Sequence, residues 1–251
     1  TLALTKIDAG NIVTLDLTTF EGTGITLGSK AGVVGTAAVA LGTLHANANS
    51  LTSTYADILS ASFANATGAV TATVNGTDAQ TITGSGFLDT FNVGSTTNET
   101  HVIAGGAGED TINFTHAADT SAEFGSVSAI QTFNLIVANA ADVAVNGAFH
   151  ADVDDITVTG GNSTSTFTTG ALASTVETLD ASAFKGNFLA TVAADALDTT
   201  VIFTGGALTT DKVSNTVTTA ATTYALKSTG VELLALDVNG AGSTTVSLAA
   251  A

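Results

Sequence analysis

The 251-residue chain has a formal charge of −17, set by 22 carboxylates against five lysines, and contains no Cys, Pro, Met or Trp. Thr (47), Ala (44) and Gly (26) make up nearly half of it. This composition excludes disulfide scaffolds and Cys-ligated metal sites, a phosphate-neutralising nucleic-acid surface and attraction to an anionic membrane, while 45% hydrophobic residues and a mean hydropathy of +0.42 argue against disorder.

From the N-terminus, the start at Thr1 and not Met is what a processed product or a domain of a longer protein would show. The longest uncharged apolar stretch, Ala31–Leu44, is interrupted by Gly32, Gly35 and Gly42. It is shorter than the roughly 20 apolar residues a spanning helix takes. No transmembrane segment is expected, and no basic n-region marks a signal peptide.

Alternation and β-branched enrichment predict strands at Asn11–Leu17, Ala69–Val74, Asp155–Thr159, Thr199–Thr204 and Ser243–Leu248. Between them, Asn75-Gly76, Gly84-Ser85-Gly86, Gly105-Gly106, Asn146-Gly147, Gly160-Gly161, Gly205-Gly206 and Asn239-Gly240 supply turns, where glycine is expected for its positive φ. Leu51–Ala66 places Tyr55, Ile58, Leu59 and Phe63 at helical intervals behind Thr52 or Ser53 as a cap, which predicts a short helix near residues 51–66.

Three segments repeat a pattern: Ile130-Gln131-Thr132-Phe133-Asn134-Leu135, Val176-Glu177-Thr178-Leu179-Asp180-Ala181 and Val231-Glu232-Leu233-Leu234-Ala235-Leu236. With the recurring glycine turns they suggest strand–turn–strand coils stacked along an axis. The expected fold class is all-β, a β-solenoid of parallel β-helix or β-roll type or else a β-sandwich. A soft division separates a mixed N-terminal region, 1–67, from a more regular β-rich part, 68–251.

The string Gly105-Gly106-Ala107-Gly108-Glu109-Asp110-Thr111-Ile112-Asn113 fits the nonapeptide G-G-x-G-x-D-x-U-x throughout. Its glycines let carbonyls face a shared cavity, and Asp110 adds a carboxylate. Ca²⁺ wants six to eight such oxygens. A degenerate second half, Gly84-Ser85-Gly86-Phe87-Leu88-Asp89, lies one coil upstream, so Gly84, Gly86, Gly105, Gly106, Gly108, Asp89 and Asp110 are the candidate calcium site. A third copy, Gly205-Gly206 to Asp211, has lost the spacing. Solvated turns are the plainer alternative, favoured outright for the cluster Asp152, Asp154 and Asp155 and for the pairs Asp195/Asp198 and Asp119/Glu123.

The GGxGxD turn, the strand openings such as Val176-Glu177-Thr178-Leu179-Asp180 and the Thr/Ala/Gly-rich, Cys-free composition resemble bacterial surface-layer proteins of the repeats-in-toxin type and the large secreted adhesins similar to them. The resemblance implies a calcium-stapled β-solenoid, type I export, and lattice or matrix formation at the bacterial cell surface.

His45, His101, His116 and His150 share no zinc-binding spacing, no G-x-S-x-G elbow occurs, and sugar-stacking aromatics are scarce, so catalysis is not expected. The leading expectation is an extracellular structural protein, secreted and self-assembling into a surface layer or filament with Ca²⁺ as cofactor. Its partners would be further copies of itself and a cell-surface glycan, with no nucleic acid. A secreted adhesin is the alternative. Ice or mineral binding by Thr rows such as Thr71-x-Thr73, Thr81-x-Thr83 and Thr157-x-Thr159 ranks lower, because the sequence spacing of the repeats is irregular.

Overall fold

The computed structural model describes residues 1–4, 13–14, 17–27, 39–53, 59–74, 80–95, 101–116, 120–121, 124–138, 142–145, 152–172, 175–192, 202–217, 223–238 and 245–250. Among these residues the structure is all-β, with no helix. In chain order the strands are β1 (Leu2–Leu4), β2 (Val13–Thr14), β3 (Gly24–Leu27), β4 (Val39–Thr43), β5 (Ser50–Ser53), β6 (Leu59–Ser62), β7 (Thr71–Val74), β8 (Gln80–Thr83), β9 (Thr90–Ser95), β10 (His101–Ala104), β11 (Thr111–His116) and β12 (Thr120–Ser121). There follow β13 (Phe124–Ser128), β14 (Thr132–Val137), β15 (Val143–Val145), β16 (Asp155–Gly160), β17 (Thr166–Leu172), β18 (Thr178–Phe184), β19 (Asn187–Val192), β20 (Ile202–Thr204), β21 (Lys212–Val217), β22 (Thr223–Thr229), β23 (Leu233–Val238) and β24 (Thr245–Ala250).

Most strands pair with the one two places on in sequence, β10 with β13 and β12 with β15 pair three places on, and every described pairing is parallel. That is the arrangement of a β-solenoid, in which each coil adds one strand to either of two faces, and it replaces the sandwich alternative. The coils fall into two compact units, Thr1–Thr115 with Glu123–Thr132, and His116–Ala122 with Phe133–Ala251. In the first unit one face is ordered β1-β3-β5-β7-β9-β11 and the other β2-β4-β6-β8-β10-β13. In the second the corresponding faces are β14-β16-β18-β20-β22-β24 and β12-β15-β17-β19-β21-β23.

The period-2 pattern explains the strands. In β11, Ile112, Phe114 and His116 are buried while Thr111, Asn113 and Thr115 face outward. Register stacks like positions across coils, so Leu51 lies beside Ala72 and Ala72 beside Phe91, all inward, with Thr52, Thr73 and Asn92 aligned outward. In the second unit, Phe167 and Phe188 stack from adjacent coils with ring centroids 6.1 Å apart, and Phe184 meets Phe167 edge-on from the opposite face.

The short helix expected near residues 51–66 is absent from the described residues. Ser50–Ser53 and Leu59–Ser62 are strands instead, and 54–58 lie outside the described residues. Leu59, Ala61 and Phe63 all point inward and are buried. The apolar residues there follow a period of two, and the helical reading had skipped Ala61. The predicted strands at 69–74 and 199–204 contain observed strands, those at 155–159 and 243–248 overlap Asp155–Gly160 and Thr245–Ala250, and within 11–17 the described strand is Val13–Thr14.

Phe188→Ala removes a fully buried ring from the stack and is expected to cost about 3–5 kcal/mol. Thr168→Ala, on the outward side of the same face, should cost under about 1 kcal/mol. Urea midpoints of the two variants check this, and equal shifts would contradict the inward–outward assignment.

Candidate functional site

The strand ladder stops at each corner, yet the corner peptides are buried and their N–H groups still need acceptors. In the first unit one device meets that need in consecutive coils. At β9, β11 and β14 the residue just before the strand accepts, through its side chain, the N–H of the matching residue one coil earlier, and the next residue donates its own N–H to that same residue's carbonyl. Thus Val70 N–H donates to Asp89 Oδ1 at 2.7 Å while Thr90 N–H donates to Val70 O at 2.8 Å. Asp89 N–H donates to Asp110 Oδ1 at 2.7 Å and Thr111 N–H to Asp89 O at 2.9 Å. Asp110 N–H donates to Gln131 Oε1 at 2.7 Å and Thr132 N–H to Asp110 O at 3.0 Å. The side-chain links span 19, 21 and 21 residues, one coil each. In the second unit Phe188 N–H donates to Asp211 Oδ1 at 2.9 Å, Asp211 N–H to Glu232 Oε2 at 3.1 Å, and Leu233 N–H to Asp211 O at 3.0 Å.

The candidate calcium residues are brought together at this corner. Asp89 receives, besides Val70 N–H, the hydroxyl of Ser85 at 2.8 Å on Oδ1 and the Ser85 N–H on Oδ2. Gly84 and Gly105 sit against the carboxylates: a Cβ on Gly105 would collide with the Ala129 carbonyl oxygen and Asp110 Oδ2, and one on Gly84 with the Gly105 carbonyl oxygen and Asp89 Oδ2. Neither residue has a positive φ, so room for the carboxylate, and not left-handed backbone, is what requires glycine there. Gly106 and Gly108 do adopt positive φ, 110° and 122°, and Gly86 faces open space. Ala129, which follows β13 where Gly105 follows β10, holds φ 51° despite its methyl group.

The chemistry of the donor set bears directly on calcium. Of the four carboxylate oxygens on Asp89 and Asp110, three already accept hydrogen bonds from N–H or O–H groups. One, Asp110 Oδ2, is buried without a hydrogen-bond partner. Among the described residues no group of three His, Cys, Asp or Glu side chains gathers where it could hold an ion. The corner thus offers one carboxylate oxygen free of hydrogen bonds, and most of the six to eight oxygens that Ca²⁺ takes would have to come from backbone carbonyls of the glycine turns.

Burial raises the Asp110 pKa above 3.8, with the Asp89 N–H opposing and the Asp89 charge adding to the rise. Burial also raises that of Asp211, opposed by the N–H groups of Phe188 and Gly206 and reinforced by Glu232. On the other face of the first unit, His101 Nδ1 accepts the Gln80 N–H at 3.2 Å, and desolvation lowers the His101 pKa to about 4. An imidazole, a carboxamide and carboxylates thus perform one task at different corners.

Asp211 closes its own turn, Gly206 N–H donating to Oδ2 at 2.6 Å, although the intervening spacing differs from the nonapeptide. Asp152 and Asp155 are exposed and Asp154 half-buried, and Asp155 accepts the Thr178 hydroxyl. Asp119, Glu123, Asp195, Asp198 and His150 lie outside the described residues. Sequence reasoning missed Gln131, Glu232 and His101. The signal was the tetrapeptide series Asp89-Thr90-Phe91-Asn92, Asp110-Thr111-Ile112-Asn113 and Gln131-Thr132-Phe133-Asn134 at 21-residue intervals, which puts Gln131 where the others have Asp. Comparison with protein-family models, curated proteins and solved structures returns no match.

Two predictions follow from the oxygens and the titrations. Asp110→Asn keeps an acceptor for Asp89 N–H and removes a carboxyl group whose charged form burial disfavours, so at pH 7 its stability should equal or exceed that of the parent. Asp89→Asn turns an amino group toward a donor and should cost about 1–3 kcal/mol. Reversed ranking of their urea midpoints would contradict the corner chemistry. For His101, the folded pKa of about 4 lies below the ordinary 6.5. Its contribution is therefore present above pH 6.5 and falls away as pH drops toward 4, about 2 kcal/mol between pH 7 and pH 5. Asp110 and Asp211, raised in the fold, act oppositely and gain stability as pH falls toward 3.8. Urea midpoints of His101→Gln should lose the acid-side drop. Parallel decline in parent and variant would remove His101 as its source.

Proposed function

We propose that the chain is a structural subunit that self-associates outside the cell, in a surface layer or filament. The observation that carries this reading is the use made of the buried carboxylates: Asp89, Asp110 and Asp211 are spent on backbone N–H groups between coils, as mechanical fastenings and not as a reactive cluster. The bacterial, secreted and repeats-in-toxin character of the proposal rests on the GGxGxD turn at Gly105–Asp110 and on the Thr/Ala-rich, Cys-free composition, with which a parallel β-solenoid is compatible. No helix among the described residues is long and apolar enough to cross a membrane.

In this proposal calcium works between copies. Glu109, Asp152, Asp155, Glu177, Glu232 and Asp237 are exposed, and a chain of charge −17 repels its own copies until counterions bridge them. A secreted adhesin is the second reading, favoured by Phe87 and Leu88, which stand 44% and 66% exposed at the corner after β8.

Light scattering of the purified chain, titrated with calcium and then with chelator, tests the leading reading. Reversible growth of large ordered particles with calcium is expected, together with little change in the melting temperature of the monomer. Scattering indifferent to calcium at high protein concentration would contradict bridging, and a large calcium-dependent rise in monomer melting temperature would place the ion inside the coil instead.

A further inference from the structure

Irregular loop lengths hide an array that strand register restores. On the outward side of the β1-β3-β5-β7-β9-β11 face of the first unit, β7, β9 and β11 present Thr71 and Thr73, Thr90 and Asn92, Thr111 and Asn113. Thr71 lies beside Thr90 and Thr73 beside Asn92 in register, and Thr111 N–H bonds to Asp89 O just ahead of Thr90, which continues the rows. Ser50 and Thr52 of β5 extend both rows by a further coil.

The two spacings of this array are fixed by the fold. Strands in a sheet lie about 4.8 Å apart, and alternate residues along a strand about 6.6 Å apart. The oxygen repeats on a prism face of hexagonal ice lie close to both. The side chains are also held in place: Asn113 Nδ2 donates to Asn92 Oδ1 at 2.8 Å, and Asn92 Nδ2 to Thr73 Oγ1 at 3.3 Å. Preset rotamers reduce the ordering cost of binding a rigid lattice.

Charge and area select the occupant. None of these positions is ionisable, although the chain carries −17, so neither a cationic partner nor a mineral surface finds its counter-charge here. In the second unit, the face β14-β16-β18-β20-β22-β24 differs, carrying Asp155, Asp180 and Lys227. A sugar polymer would want aromatic rings to stack on, and the rows have none. A second copy docked on this strip would bury roughly 250 Å² per partner by the same strand spacings, well short of the about 800 Å² a stable interface takes.

We propose that this face binds ice, its Thr and Asn rows holding water in lattice register. The claim stands apart from the self-assembly reading, since it concerns the monomer and needs no calcium.

The test is thermal hysteresis and partition into slowly growing ice, measured on the full chain in chelator. Parent protein should show concentration-dependent hysteresis and enrichment in the ice. Thr71→Tyr, a bulky group on an exposed outward position, should at least halve both with unchanged circular dichroism and melting temperature. Val102→Tyr, exposed on the opposite face in β10, should leave them intact. Folded parent protein with no hysteresis and no enrichment over an inert protein of equal size would overturn the proposal. So would equal losses in the two variants, or retention on crystalline cellulose or chitin without any effect on ice.

Discussion

A parallel coil of about 20 residues has a structural problem that a strand ladder alone does not solve. At each bend the ladder ends while the peptides remain buried, and a buried N–H without an acceptor costs about 1–3 kcal/mol. The chain answers with a two-point clamp: a side-chain acceptor takes the N–H of the residue one coil back, and the following backbone N–H takes its carbonyl. Val70, Asp89 and Asp110 are each held in this way by the next coil, and Asp211 is held likewise by Glu232 and Leu233. The glycines follow from the clamp, because the Asp110 carboxylate occupies the space a Cβ on Gly105 would need.

The clamp has an electrostatic cost that its setting partly offsets. N–H dipoles aimed at the buried carboxylates favour their charged form, while burial pushes Asp110 and Asp211 upward in pKa. Where a carboxylate is not used, Gln131 or His101 accepts the same kind of bond without a charge. A sequence pattern that signals a metal turn can therefore be met by backbone donors. The corner then fixes coil to coil, and the outward faces become the variable part of the molecule, neutral in rows of Thr and Asn in one unit and marked by Asp and Lys in the other.

Much of the architecture could be read from residues. Thr111-Ile112-Asn113-Phe114 alternates cleanly, and the glycine corners at 84 and 105 fall where turns were expected. The convergence of Asp89 with Asp110 was also legible from their 21-residue separation. Leu51–Ala66 misled because two short strands, taken together with the residues between them as one window, place Tyr55, Ile58, Leu59 and Phe63 at intervals that imitate a helix. The role of Gln131 was hidden because the eye groups Asp with metal ligands and Gln with strand openings, whereas the fold requires only an oxygen at that height. Regular outward rows were missed for a different reason: corner length varies, so columns aligned in space are unevenly spaced along the chain. Gly84 and Gly105 were expected to supply positive φ, but they supply room.

The central claim is that side-chain acceptors from the next coil, without any metal, hold the corner amides. Amide hydrogen exchange in excess chelator measures this residue by residue. The amides of Val70, Asp89, Asp110, Phe188 and Asp211 should exchange as slowly as those of Ile112 and Phe91 within the strands. Exchange at those five as rapid as at the exposed turn residue Gly86, slowing only when calcium is restored, would contradict the account.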